Sequence, residues 1–127
     1  MNYGQIREYD IANGIGIRAT LFVTGCSHHC YNCFNPEYWD HTAGNEFTKD
    51  VAETLVSYLK RPQVSGLTIL GGEPFENVDG LIDFIKTYLK DQEWFRNKDI
   101  WCYSGYTIDQ IIEDPNKRKL LELVDVL

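Results

Sequence analysis

The sequence is short of positive charge: 12 Lys and Arg stand against 19 Asp and Glu, a formal net charge of −7. A nonspecific grip on nucleic acid needs clustered Lys and Arg, and only short basic stretches such as Lys117–Lys119 occur, which a solvated face explains. Nucleic acid is therefore not an expected partner. No apolar h-region follows the polar N-terminus (Asn2, Gln5, Arg7, Glu8, Asp10), so no secretion signal is visible and a cytoplasmic location is expected. No apolar run approaches membrane-spanning length, which removes the membrane from the expected partners. The 4 cysteines, in a chain without a secretion signal, read better as metal ligands or thiols than as a disulfide frame. Repeats, low-complexity tracts and interdomain linkers are also missing, so residues 1–127 are expected to form one domain with a real core.

Strands and helices are expected to alternate. Residues 17–24 read as a strand that ends at Gly25 and a cysteine-rich loop. Residues 48–60 read as a helix, with Val51, Leu55, Tyr58 and Leu59 on one face, Thr48 as N-cap and Pro62 beyond its end. Leu67–Leu70 is a short apolar run between glycines, the pattern of a buried strand. Asn77 can cap a second helix carrying Leu81, Ile82, Ile85, Tyr88 and Leu89. Ile100–Tyr103 is the next strand, Thr107–Gln110 is a capping-box pattern opening another helix, and Leu123–Leu127 reads as one more strand. This order implies an α/β fold built from βαβ units around a parallel sheet. Ligands in such folds bind beyond the carboxyl ends of the strands. The unusual residues lie there: the cysteine loop after the first of these strands, Gly71-Gly72-Glu73-Pro74 after the second, Ser104-Gly105-Tyr106 after the third.

Cys26, Cys30 and Cys33 sit in the run Cys-Ser-His-His-Cys-Tyr-Asn-Cys. Three thiolates at this spacing can hold three corners of a cubane iron–sulfur cluster and leave the fourth iron open to a ligand. The open iron can be chelated by the amino and carboxylate groups of an amino-acid-like molecule. Gly71 and Gly72 have no Cβ and would let a backbone edge approach it, Glu73 offers an acceptor for an ammonium group, and Pro74 stiffens the turn. The plainer reading of that tetrad is a Gly-Gly turn with a solvated Glu.

Together these features resemble the radical S-adenosylmethionine superfamily and, within it, the family that activates the anaerobic ribonucleoside-triphosphate reductases. The resemblance is carried in order along the chain by Met1-Asn2-Tyr3, Asn13-Gly-Ile-Gly-Ile-Arg18, Leu21-Phe-Val-Thr-Gly-Cys26, His28, Phe34-Asn35, Phe47-Thr48, Gly71–Pro74, Asp99-Ile-Trp101 and Ser104-Gly-Tyr106. It implies a compact partial (β/α) barrel with the cofactor at the C-terminal ends of the strands. It implies that Cys26, Cys30 and Cys33 ligate a 4Fe-4S cluster whose fourth iron is chelated by S-adenosylmethionine. Reduced by an external low-potential electron donor, the cluster would cleave the sulfonium to methionine and a 5′-deoxyadenosyl radical. That radical would take a hydrogen atom from a glycine of the large reductase subunit, leaving a stored glycyl radical. The resemblance also implies that the backbone at Gly71, Gly72 and Glu73 contacts the methionine moiety, that Asn32, Cys33 and Phe34 lie against the cofactor near the cluster, and that Ser104 is a further cofactor contact. Besides the large subunit, a homodimer is a candidate assembly.

Two departures from the family pattern stand out. Many superfamily members carry an aromatic residue immediately before the third cysteine, where this chain has Asn32. Family members also run on past a strand like Val124–Leu127 into an Asp-Gly pair and a tail, whereas this chain stops at Leu127, so a trimmed or truncated form is expected. The alternatives are an activase of another glycyl-radical enzyme, a small synthase of the same superfamily, or a zinc-stabilised interaction module. Cys102, His28, His29 or His41 could complete such a zinc site. Cys102, flanked by Trp101 and Tyr103, is expected to be a buried, inert thiol. Arg18 can pair with a carboxylate of the cofactor or of the fold, and Gly14 and Gly16 read as turn glycines. Phe34, Tyr38 and Trp39 are either core or the patch on which the large subunit docks, and the need for a water-free seal favours docking.

Overall fold

The computed structural model describes residues 1–25 and 44–127. It is an α/β structure organised on a five-stranded mixed sheet. The strands are β1 (Asn2–Asp10), β2 (Arg18–Val23), β3 (Asn45–Glu46), β4 (Gly66–Gly71) and β5 (Asp99–Cys102), in the spatial order β3-β1-β2-β4-β5. The helices are α1 (Lys49–Leu59), α2 (Val78–Phe84) with a π-helical continuation over Ile85–Leu89, α3 (Ile108–Glu113) and α4 (Pro115–Leu121).

The parallel part is the one expected: β2 pairs with β4 and β4 with β5, all parallel, joined by helical connections through α1 and α2. Two corrections concern the sheet's margins. The polar N-terminal segment is a nine-residue strand, antiparallel to β2, and β3 adds to it antiparallel, so the sheet is mixed rather than parallel throughout. β1 carries charged and exposed residues because it lies near the rim, and its pairing comes from backbone bonds to β2 rather than from an apolar run. At the other margin, Leu123–Leu127 contributes a single parallel bridge, Val126 to Trp101, instead of a strand. The backbone N–H groups of Leu123 and Val124 donate to Leu120 and Leu121 carbonyls, so the end of α4 claims them first.

Register explains the core. Parallel partners share a face, and the rows Ala19–Leu67–Ile100 and Leu21–Ile69–Cys102 point to the helical layer. There they pack with Leu55 and Leu59 of α1, Leu81 and Phe84 of α2, Ile111 of α3 and Leu120 of α4. The opposite face carries Arg18, Thr20 and Phe22 of β2, Thr24 just past its end, and Thr68 of β4, all buried. The Thr48 side chain caps α1 by accepting from the Val51 N–H, and Thr107 and Gln110 form the reciprocal capping box of α3. Among the described residues no helix is long and apolar enough to cross a membrane.

Candidate functional site

The parallel strands β2, β4 and β5 end on one edge of the sheet, and the three loops with unusual residues leave from that edge. Val23 aligns with Gly71, the last pair of the β2–β4 ladder. Beyond it the ladder hands over to loop hydrogen bonds. The Gly72 N–H donates to the Val23 carbonyl at 2.9 Å and the Glu73 N–H to the Gly25 carbonyl at 2.7 Å. Gly25 is the residue before Cys26, so the stem of the cysteine loop is fixed against the Gly-Gly-Glu-Pro loop. Gly71 itself is required for a close approach: its φ is +125°, and a Cβ there would lie 2.2 Å from the Val23 carbonyl oxygen.

Glu73 joins this loop to the next one. Its side chain is buried, and the carboxylate accepts from the Phe75 N–H at 2.9 Å, the Ser104 hydroxyl at 2.8 Å and the Gly105 N–H at 2.7 Å. These bonds satisfy the carboxylate oxygens away from water, where unpaired polar atoms would be costly. The solvated-Glu reading of the sequence therefore does not hold. The Tyr106 hydroxyl donates to Glu76 at 3.0 Å, a further tie between the same two loops. Pro74–Glu76 forms a single 3-10 turn, with Pro74 in its first position.

Cys26, Cys30, Cys33, Asn32 and Phe34 lie outside the described residues, as do His28, His29, His41, Tyr38 and Trp39. The expected contacts Gly71, Gly72, Glu73 and Ser104 are described, and the structure brings all four together beside the stem of the cysteine loop. One observation bears on whether this edge suits a polar cofactor. The hydroxyl of Thr24, two residues before Cys26, is fully buried and has no hydrogen-bond partner among the described residues. Buried hydroxyls are normally paired, so an unpartnered one at this edge fits a site that takes a polar group. A donor set of three thiolates at this spacing suits an iron–sulfur cube.

Cys102 stands apart from that donor set. It is buried in the core beneath the sheet, and burial pushes its thiol well above the ordinary value of 9.0, with the Glu73 carboxylate adding to the shift. Cys102 is thus the buried, inert thiol that its apolar flanks lead one to expect. Arg18 is also resolved in favour of the fold. Fully buried at the start of β2, it donates from Nε to the Thr68 hydroxyl at 2.7 Å and from a terminal nitrogen to the Leu67 carbonyl at 2.9 Å, and it pairs with the Asp99 carboxylate at 2.7 Å.

Sequence reasoning missed one residue here. Asn77 occupies the N-cap position of α2 as expected, yet its side chain makes no capping bond. Its amide donates to the Thr24 carbonyl at 2.9 Å and to the Glu73 carbonyl at 3.1 Å. A capping residue and a loop-bridging residue look alike in a sequence, and only the register of β2 against β4 separates them.

Comparison with known proteins agrees with this geometry. A family model described as a 4Fe-4S single cluster domain matches residues 12–127. The anaerobic ribonucleoside-triphosphate reductase-activating protein of Enterobacteria phage T4 is 36% identical over 132 residues, covering 100% of this chain and 78% of the relative. The protein of the same name from Haemophilus influenzae is 37% identical over 131 residues, covering 100% of this chain and 81% of the relative. That from Escherichia coli is 33% identical over 129 residues, with 100% and 82% covered. The chain belongs to the family of anaerobic ribonucleoside-triphosphate reductase-activating proteins, with a 4Fe-4S single cluster domain.

Proposed function

We propose that this protein is a radical S-adenosylmethionine enzyme that activates the anaerobic ribonucleoside-triphosphate reductase by generating a glycyl radical on its large subunit. The observation that carries the reading is the joining of three loops at one sheet edge, where the Glu73 N–H holds the Gly25 carbonyl and the Glu73 carboxylate holds Ser104 and Gly105. In this reading residues 1–127 act as one radical S-adenosylmethionine domain, whose parallel strands β2, β4 and β5 with their helices are compatible with part of a (β/α) barrel.

In this reading Cys26, Cys30 and Cys33 hold a 4Fe-4S cluster with one open iron. Gly71, Gly72 and Glu73 receive the methionine end of S-adenosylmethionine, Ser104 stands beside them, and Asn32 and Phe34 flank the cofactor near the cluster. Held there, the cluster and cofactor would supply one-electron cleavage of the sulfonium and, through it, hydrogen abstraction from a glycine. The protein's own part is placement and exclusion of water. Gly72 and Glu73 fix the stem of the cysteine loop through their backbone N–H groups, and Glu73 keeps the β5 loop in register with it. An external low-potential donor supplies the electron. Cysteines used as cluster ligands rather than in disulfides fit a reducing cytoplasm.

The test is 5′-deoxyadenosine formation by anaerobically iron-reconstituted protein given S-adenosylmethionine and a strong reductant. Product that is lost in Cys26→Ala, Cys30→Ala and Cys33→Ala supports the reading, and glycyl-radical formation on added large subunit completes it. Zinc uptake in place of iron, with no product, overturns it in favour of a zinc-stabilised module.

A further inference from the structure

The end of β2 shows a pattern beyond ordinary strand pairing. Three consecutive carbonyls, those of Val23, Thr24 and Gly25, each accept a hydrogen bond from the segment 72–77: from the Gly72 N–H, the Asn77 side chain and the Glu73 N–H. The middle bond is the only one made by a side chain. It comes from a residue whose position would favour capping α2, an interaction that Asn77 forgoes. The same amide nitrogen also donates to the Glu73 carbonyl, so one side chain spans the cysteine-loop stem and the Gly-Gly-Glu-Pro loop. Asn is suited to this: it carries two hydrogens on one nitrogen at short reach, whereas Asp has none when ionised and Ser has one.

We propose that Asn77 is a positioning residue that fixes the cysteine-loop stem at Thr24 against the cofactor loop at Glu73, and so sets how S-adenosylmethionine meets the cluster. This rests on the function proposed above. Asn77 acts through Thr24 and Glu73. Cofactor chelation requires the open iron and the methionine-binding backbone to be placed together, and a stem free to shift would lower the fraction of molecules able to chelate.

The experiment uses the full chain, reconstituted anaerobically with iron and sulfide. The readout is the change in the electron paramagnetic resonance spectrum of the reduced cluster on titration with S-adenosylmethionine, alongside iron content. In Asn77→Ala, iron content is expected to match wild type while the half-saturating S-adenosylmethionine concentration rises about tenfold, the effect of losing two bonds. Asn77→Ser, which keeps a helix-capping hydroxyl and one donor, should fold well and show a rise of about threefold. Thr48→Ala serves as control: it removes the cap of α1, lowers stability, and should leave the half-saturating concentration unchanged. Half-saturation within twofold of wild type in both Asn77 variants, with wild type responding normally, overturns the positioning role alone. An equal rise in Thr48→Ala overturns it too, since general destabilisation would then suffice. A wild-type cluster whose spectrum ignores S-adenosylmethionine overturns the functional reading, and the positioning role with it.

Discussion

The guanidinium of Arg18 lies 2.7 Å from the carboxylate of Asp99, joining the first residues of β2 and β5 across Gly66 of β4. The Arg18 side chain is 1% exposed and that of Asp99 45%, so the pair spans from the interior to solvent. Arg18 also stacks its guanidinium over the Trp101 ring at 5.4 Å. The cluster stem is at the other end of β2, about 20 Å away at the rise of an extended strand.

That separation gives the first prediction. Asp99→Ala leaves the buried Arg18 charge with one acceptor fewer and should cost about 2 kcal/mol, below the range for fully buried pairs because Asp99 is half exposed. Arg18→Met should cost about 2 kcal/mol, since the Leu67 carbonyl and the Thr68 hydroxyl each lose a donor, although the hydroxyl still donates to the Asn13 carbonyl. Urea midpoints at unchanged slope measure both losses. Iron uptake should be unaffected in either variant, and its loss would mean that Arg18 reaches the cofactor site after all.

A second prediction concerns the Glu73–Ser104 bond. Glu73→Ala orphans the Phe75 and Gly105 N–H groups and removes the acceptor of the Ser104 hydroxyl, which keeps only the bond it accepts from the Tyr106 N–H, and should cost about 3 kcal/mol. Ser104→Ala removes one neutral donor to a charged acceptor and should cost about 1.5 kcal/mol. Because the two residues touch, the double variant should lose less than the sum by about 1 kcal/mol. Chemical denaturation of the four proteins closes the cycle, and strict additivity would contradict the bond.

Much of this arrangement was legible in the sequence, for identifiable reasons. β4 announces itself because a strand buried on both faces is a short, largely apolar run, here Leu67–Leu70 bounded by glycines. Thr48 and Thr107 mark helix starts because capping is a local interaction written in adjacent residues. β1 was illegible because a rim strand such as Asn2–Asp10 is held by backbone bonds that leave no hydrophobic signature. Leu123–Leu127 shows the reverse error, an apolar run whose backbone the preceding helix partly claims. At the site, the Gly71–Glu73 and Ser104 segments could be assigned to one edge from topology alone. Their hydrogen bonding could not, because the Glu73 carboxylate and the Asn77 amide find partners some 30 to 50 residues away in sequence. Such contacts are set by register, and register appears only when the strands are paired.

The buried Cys102 thiol leads to a pH prediction with a definite sign. Burial raises its folded value well above the ordinary 9.0, and the nearby Glu73 carboxylate reinforces the shift. Below pH 9 the thiol is protonated in both folded and unfolded chains, so its contribution is fully present. Above pH 9 the unfolded chain releases the proton while the folded chain keeps it, and deprotonation draws the equilibrium toward unfolding. Stability should therefore fall with a slope of up to about 1.4 kcal/mol per pH unit from this group between pH 9 and 11. Cys102→Ala should remove that component of the alkaline slope while leaving a small cavity cost at neutral pH. The same thiol should resist alkylation at pH 8 in the native protein and react once urea unfolds it, because the reactive thiolate is suppressed by burial. An unchanged alkaline slope in Cys102→Ala, or fast labelling of native Cys102, would show that the thiol is not sealed in the core. A sealed thiol, in turn, predicts that Cys102→Ala takes up as much iron as wild type, which separates this cysteine from Cys26, Cys30 and Cys33.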